Sequence, residues 1–91
     1  MMKNKVYDLS LEKLKIHDEV ALYLGTSIEP GFFVTGQAGS TETELNYSIS
    51  GTLDSAEVYV YAEVKNGTWV IHELFVTVDG INKKIDALDL P

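Results

Sequence analysis

The sequence predicts an α+β domain in which an N-terminal helical segment, kinked or split into two short helices, packs on an antiparallel sheet of about five strands. Apolar residues recur at helical spacing only up to residue 25, and β-branched and aromatic residues at period two dominate after residue 31. Asn66-Gly67 and Asp79-Gly80 stand where such strands must reverse. With 91 residues the chain holds a single domain over 1–91, helical from 4 to 25 and sheet from 31 to 88, because a second core would leave each half too small to be stable.

Tyr7, Leu11 and Leu14 sit at i, i+4 and i+7, one stripe of a helix, with Glu12, Lys13 and Lys15 turned outward. The stripe resumes as Ile16, Val20 and Leu24. His17-Asp18-Glu19 places carboxylates where the positive end of a new helix favours them, which predicts a kink or break near His17. Gly25 follows the last apolar position and is the residue that closes a helix in the left-handed conformation.

After Pro30-Gly31 the pattern predicts strands over 32–38 and 42–50, the second with Leu45, Tyr47 and Ile49 on one face, and a turn over 51–54. In the third strand Val58, Val60, Ala62 and Val64 share one face and Tyr59, Tyr61 and Glu63 the other. Asn66-Gly67 suits a two-residue type I′ turn, which needs positive φ at both central positions and sets Val64 opposite Trp69 and Ala62 opposite Ile71. Continued without a break, that register would turn Glu73 into the core and Leu74, Val76 and Val78 out of it. One extra residue near His72-Glu73, a β-bulge, restores the apolar phase. Asp79-Gly80 is then read as a second tight turn, leading to a last strand over 81–88.

Fourteen acidic residues against seven basic ones give a net charge of −7, which repels phosphate backbones and anionic lipids and argues against nucleic-acid binding. The absence of cysteine removes disulfides, thiolate chemistry and Cys-based zinc sites, and leaves the compartment undetermined. No apolar run approaches the ~20 residues of a membrane span, and the polar, charged start lacks the apolar stretch of an export signal.

No catalytic, cofactor or metal site is legible. His17 and His72 lie in different elements without metal-ligand spacing, and read as structural or surface residues. There is no Gly-x-Ser-x-Gly elbow, and no glycine-rich loop runs from a strand into a helix. Carboxylate pairs such as Asp18-Glu19, Glu42 with Glu44, and Asp86 with Asp89 read as solvated surface. On the second strand they also read as charge that discourages edge-to-edge pairing. Tyr59 and Tyr61, with His72, are the candidate partner contacts. If the helices cover their face, both tyrosines are instead core residues with satisfied hydroxyls.

The helical run Tyr7-Asp8-Leu9-Ser10-Leu11 leading to Val20, then Leu24-Gly25, Ile28, Gly31, Gly36, Ile49 with Gly51, and Gly67-x-Trp69-x-Ile71-x-x-Leu74 with Val76, resembles the cytochrome oxidase complex assembly protein 1 family. That mitochondrial and bacterial group is related to a small inner-membrane subunit of the presequence translocase. The likeness covers nearly the whole chain. Ser27 stands where the family tends to show proline, and the membrane-spanning helix that usually precedes the domain is absent. The resemblance implies a helical pair against an antiparallel sheet and a non-enzymatic role in assembling membrane-protein complexes. It implies no catalytic residue and no cofactor.

The leading expectation is therefore a domain that binds a protein partner, monomeric or weakly homodimeric, and tied to a membrane only through an anchor outside this chain. One alternative is a small-ligand binder or weak hydrolase with a pocket between helix and sheet, lined by Tyr23, Phe32, Phe33 and Trp69. Another is homodimerisation through an exposed strand.

Overall fold

The computed structural model describes residues 4–88. Two helices, α1 (Lys5–Lys15) and α2 (Asp18–Leu24), precede five strands: β1 (Glu29–Ala38), β2 (Glu42–Ser50), β3 (Ser55–Lys65), β4 (Thr68–Val78) and β5 (Lys83–Asp86). Each strand pairs antiparallel with the next, so the sheet is a meander in the order β1-β2-β3-β4-β5 with β1 and β5 at its edges. Both helices lie on one face. There α1 packs on β3 and β4, and α2 on α1 and β4.

The helices start and stop for local reasons. Asn4 caps α1, its side chain accepting from the Val6 and Tyr7 amides at 2.9 and 3.1 Å. The break falls where His17-Asp18-Glu19 predicts it. His17 is the N-cap of α2, buried, with Nδ1 3.4 Å from the Val20 amide. Gly25 ends α2 at φ +87°, and a Cβ there would run into the Thr52 side chain. Ile16 does not continue the apolar stripe. It caps the C-terminus of α1, where helical geometry has already ended, and is 83% exposed.

Val6, Tyr7, Leu14, Val20 and Leu24 from the helices meet Leu45, Tyr47, Ile49, Val58, Val60, Leu74, Val76 and Ile85 from the sheet in one buried cluster. Full burial of each aliphatic side chain contributes about 1.5–3 kcal/mol, so this layer supplies most of the drive to fold. Tyr47 brings a hydroxyl into it. Its ring meets Tyr7 edge-on with centroids 4.8 Å apart, and its Oη lies 2.6 Å from Ser10 Oγ, which also donates to the Tyr7 carbonyl at 2.9 Å.

The hairpin at Asn66-Gly67 has φ +53° and +76°, and sets Val64 opposite Trp69 and Ala62 opposite Ile71. The expected bulge is present. Ala62 pairs with Ile71 and Tyr61 with Glu73, so His72 is the extra residue, and Leu74, Val76 and Val78 are buried.

Two strand boundaries differ from expectation. β1 begins at Glu29, three residues early, because Glu29 and Pro30 pair with Ser50 and Ile49 ahead of an irregularity that ends at Val34. An edge strand tolerates the missing proline amide. Asp79-Gly80 is not a two-residue turn. Val78 pairs with Lys83, and the four residues between them use Asn82, at φ +53°, for the left-handed position. Asp79 and Gly80 are instead tied sideways. The Asp79 amide donates to the Ser55 carbonyl, Ser55 Oγ to Asp79 Oδ2, and the Gly80 amide to Asp54 Oδ2. The last strand is accordingly only Lys83–Asp86, with Leu88 beyond it.

Deleting His72 should leave every apolar pair between β3 and β4 in place, since Tyr61 would still face Glu73. Deleting Phe75 reverses the phase of the strand beyond it and should cost several kcal/mol, roughly the burial of two valines. Thermal melts, with cross-strand proton contacts between Val58 and Val76, distinguish the two deletions. Ser10→Ala should destabilise by about 1–3 kcal/mol by leaving the buried Tyr47 hydroxyl without this partner, and Tyr47→Phe in the same chain should recover part of that loss in denaturant titrations.

Candidate functional site

Because the helices occupy one face only, alternation along β2, β3 and β4 sends the other set of side chains onto an open face. Cross-strand rows on it run Glu44-Tyr61-Glu73 and Asn46-Tyr59-Phe75. Tyr59 and Tyr61 are thus not core. Both are half-buried on the face away from the helices, with their rings lying among neighbouring side chains.

Each tyrosine reaches diagonally to a glutamate of β2. Tyr59 Oη donates to Glu44 Oε2 at 2.8 Å and Tyr61 Oη to Glu42 Oε2 at 3.1 Å. The His72 side chain comes to the same face, with Nε2 3.0 Å from Glu63 Oε1 and its ring 6.2 Å from that of Tyr61. The structure therefore brings all three candidate contact residues together. Two open depressions flank them, one of about 330 Å³ bordered by Glu42, Glu44 and Tyr61 and one of about 240 Å³ bordered by Tyr59, Phe75 and Lys84.

Glu42 and Glu44 were legible as outward-facing, but their reading as protection of a sheet edge does not hold. β1 pairs along β2, so β2 is an interior strand, and its carboxylates instead hold tyrosine hydroxyls. Phe75 and Lys84 escaped the sequence reading. Lys84 Nζ sits 4.3 Å from the Phe75 ring centroid, a contact that depends on how β5 pairs with β4.

The residues named for a pocket between helix and sheet do not converge. Phe32 and Phe33 fall in the irregular part of edge strand β1 and are 95% and 82% exposed. Trp69, on β4, is three strands away, about 14 Å at ordinary strand spacing, and packs against the core as Tyr23 does. Tyr23 is also approached by Lys83, whose Nζ is 5.5 Å from its ring centroid and 3.9 Å from Glu19. Asp89, named in one carboxylate pair, lies outside the described residues. Among the described residues no three His, Asp or Glu side chains gather as a metal site would, and no helix is long and apolar enough to cross a membrane.

The architecture of two helices on one face of a five-stranded meander accompanies a match of residues 1–89 to the family model described as cytochrome oxidase complex assembly protein 1. The chain belongs to that family. Membership implies a role in cytochrome oxidase assembly. Neither a curated protein nor a solved structure matches the chain.

The surroundings of the open-face tyrosines hold their phenols neutral. Tyr59 is pushed up to about 12, first by its hydrogen bond to Glu44. Tyr61 is pushed up to about 12 by desolvation, then by its bond to Glu42 and the field of Glu42 and Glu63. Buried Tyr47 is likewise raised to about 12, chiefly by its burial. Folding favours the protonated phenol in each case. This contribution to stability is whole below pH about 10 and should be lost as pH rises through about 12. Tyr7 is raised as well, by its burial and then by the field of Asp8, so phenolate absorbance followed against pH should show four late-titrating tyrosines. Tyr59→Phe and Tyr61→Phe should each remove one of them, and a single step near the ordinary tyrosine value would contradict this.

Proposed function

We propose that this member of the cytochrome oxidase complex assembly protein 1 family acts without catalysis, by holding a protein partner on the open face of its sheet, over Tyr59, Tyr61 and His72. One observation carries the reading: the helices cover a single face, while the other presents aromatic rings held by tyrosine–glutamate hydrogen bonds and by the contact of His72 with Glu63. Pre-positioned aromatics give contact area at low conformational cost, the kind of anchor on which interfaces depend. The assembly role that membership implies supports a partner that is a subunit of the oxidase or another factor acting on it.

A second reading rests on β1. Its open edge carries exposed Phe32 and Phe33 in a stretch without charge from Pro30 to Ala38, so two copies of a strongly acidic chain would repel least there.

A photoreactive phenylalanine analogue at Tyr59, in the natural host, should crosslink to an oxidase subunit or assembly factor identified by mass spectrometry. The same analogue at Lys13, on the exposed side of α1, should not. Crosslinking from Lys13 alone would move the partner to the helices. Crosslinks confined to Phe33 and joining two copies of this chain would favour the second reading.

A further inference from the structure

The open face is unevenly charged. Glu42, Glu44, Glu57, Glu63, Glu73 and Asp86 lie on it, opposed among the described residues only by Lys65 at the hairpin and Lys84 on β5, a balance of −4 against the chain's net charge of −7. A wholly apolar segment laid there would strip water from several carboxylates and leave them unpaired, at a high cost in desolvation. An anionic surface would be repelled outright.

Geometry adds to charge. The tyrosine hydroxyls are already committed to Glu42 and Glu44, which fixes the rings, and each carboxylate keeps lone pairs for a further donor. The face also shows the required contact within the chain itself, Lys84 seated over Phe75 at 4.3 Å. Tyr61, bordered in its row by Glu44 and Glu73, offers the same combination of ring and carboxylate with no cation of its own chain at that distance among those described. A guanidinium fits it best, since it can stack on a ring while donating in-plane to carboxylates.

We infer that the segment held on this face is basic: a protein stretch bearing arginine or lysine, whose cations lie over Tyr59 and Tyr61 among the carboxylates of Glu42, Glu44, Glu63 and Glu73. The inference rests on the reading of the open face as the docking surface and supplies the chemistry of its partner.

The test uses the full chain and two synthetic peptides of equal length, one alternating arginine with serine and the other glutamate with serine. Amide shift mapping should place the arginine peptide on β2, β3 and β4 at the open-face positions and show no binding of the glutamate peptide. Affinity should fall severalfold from about 50 to about 300 mM salt. Tyr61→Leu should weaken binding roughly two- to fivefold, and Glu44→Gln with Glu73→Gln about tenfold, while the melting temperature of each variant reports that the fold is kept. Shifts spread equally over Asp8 and Glu12 of α1 would reduce the effect to net charge and overturn the inference. So would open-face shifts that track protein concentration without peptide, because the occupant would then be a second copy. If the Tyr59 crosslink captures an oxidase factor through a neutral or acidic segment, the docking surface stands and only the basic partner fails. If neither peptide nor factor is held there, both fail.

Discussion

Strand phase is the constraint on which the rest of the molecule depends. Side chains alternate strictly along a strand, so an unbroken ladder through both residues between Ile71 and Leu74 would exchange the two faces of the remainder of β4. With His72 as the unpaired residue, Leu74, Val76 and Val78 join the core that begins with Trp69 and Ile71, and Ile85 joins it through its pairing with Val76. The same extra residue sets Glu73 outward beside Tyr61 and brings the His72 imidazole to Glu63. Core and open face are thus two consequences of one irregularity.

The phase also explains why identical residue types serve opposite ends. Tyr47 and Tyr59 lie on neighbouring strands and both hydrogen-bond through their hydroxyls. Tyr47 points to the helices, is almost wholly buried and meets Ser10 and Tyr7, so it contributes packing and one interior hydrogen bond. Tyr59 points the other way, keeps its ring at the surface and meets a carboxylate. Burial lifts the first phenol and a charged acceptor lifts the second, so a shared direction of shift has two physical origins.

Cover on one face only leaves a broad polar-aromatic surface on the other, backed by a filled core. The helices take part by bracing β3 and β4, the strands that carry Tyr59, Tyr61, His72 and Phe75. Lys83 ties α2 to β5 through Glu19 and Tyr23, so the sheet edge nearest Lys84 is held in place as well.

The sequence by itself determined the helix break at His17, the close of α2 at Gly25, the hairpin at Asn66-Gly67 and the bulge at His72. Each arises from local backbone preferences or from the arithmetic of alternation, which act between residues near one another in the chain. It also placed Tyr59, Tyr61 and Glu63 on one face of β3. Only the tertiary structure decided which face the helices would cover, that β2 would be interior, and that Phe32 and Phe33 would stand apart from Trp69. Strand order and the docking of helices are set by contacts between residues distant in sequence, which no local pattern encodes. The length of the last turn belongs with these, because Asp79 and Gly80 are held by Ser55 and Asp54 from the other end of β3, and those partners outweigh the turn preference of the dipeptide.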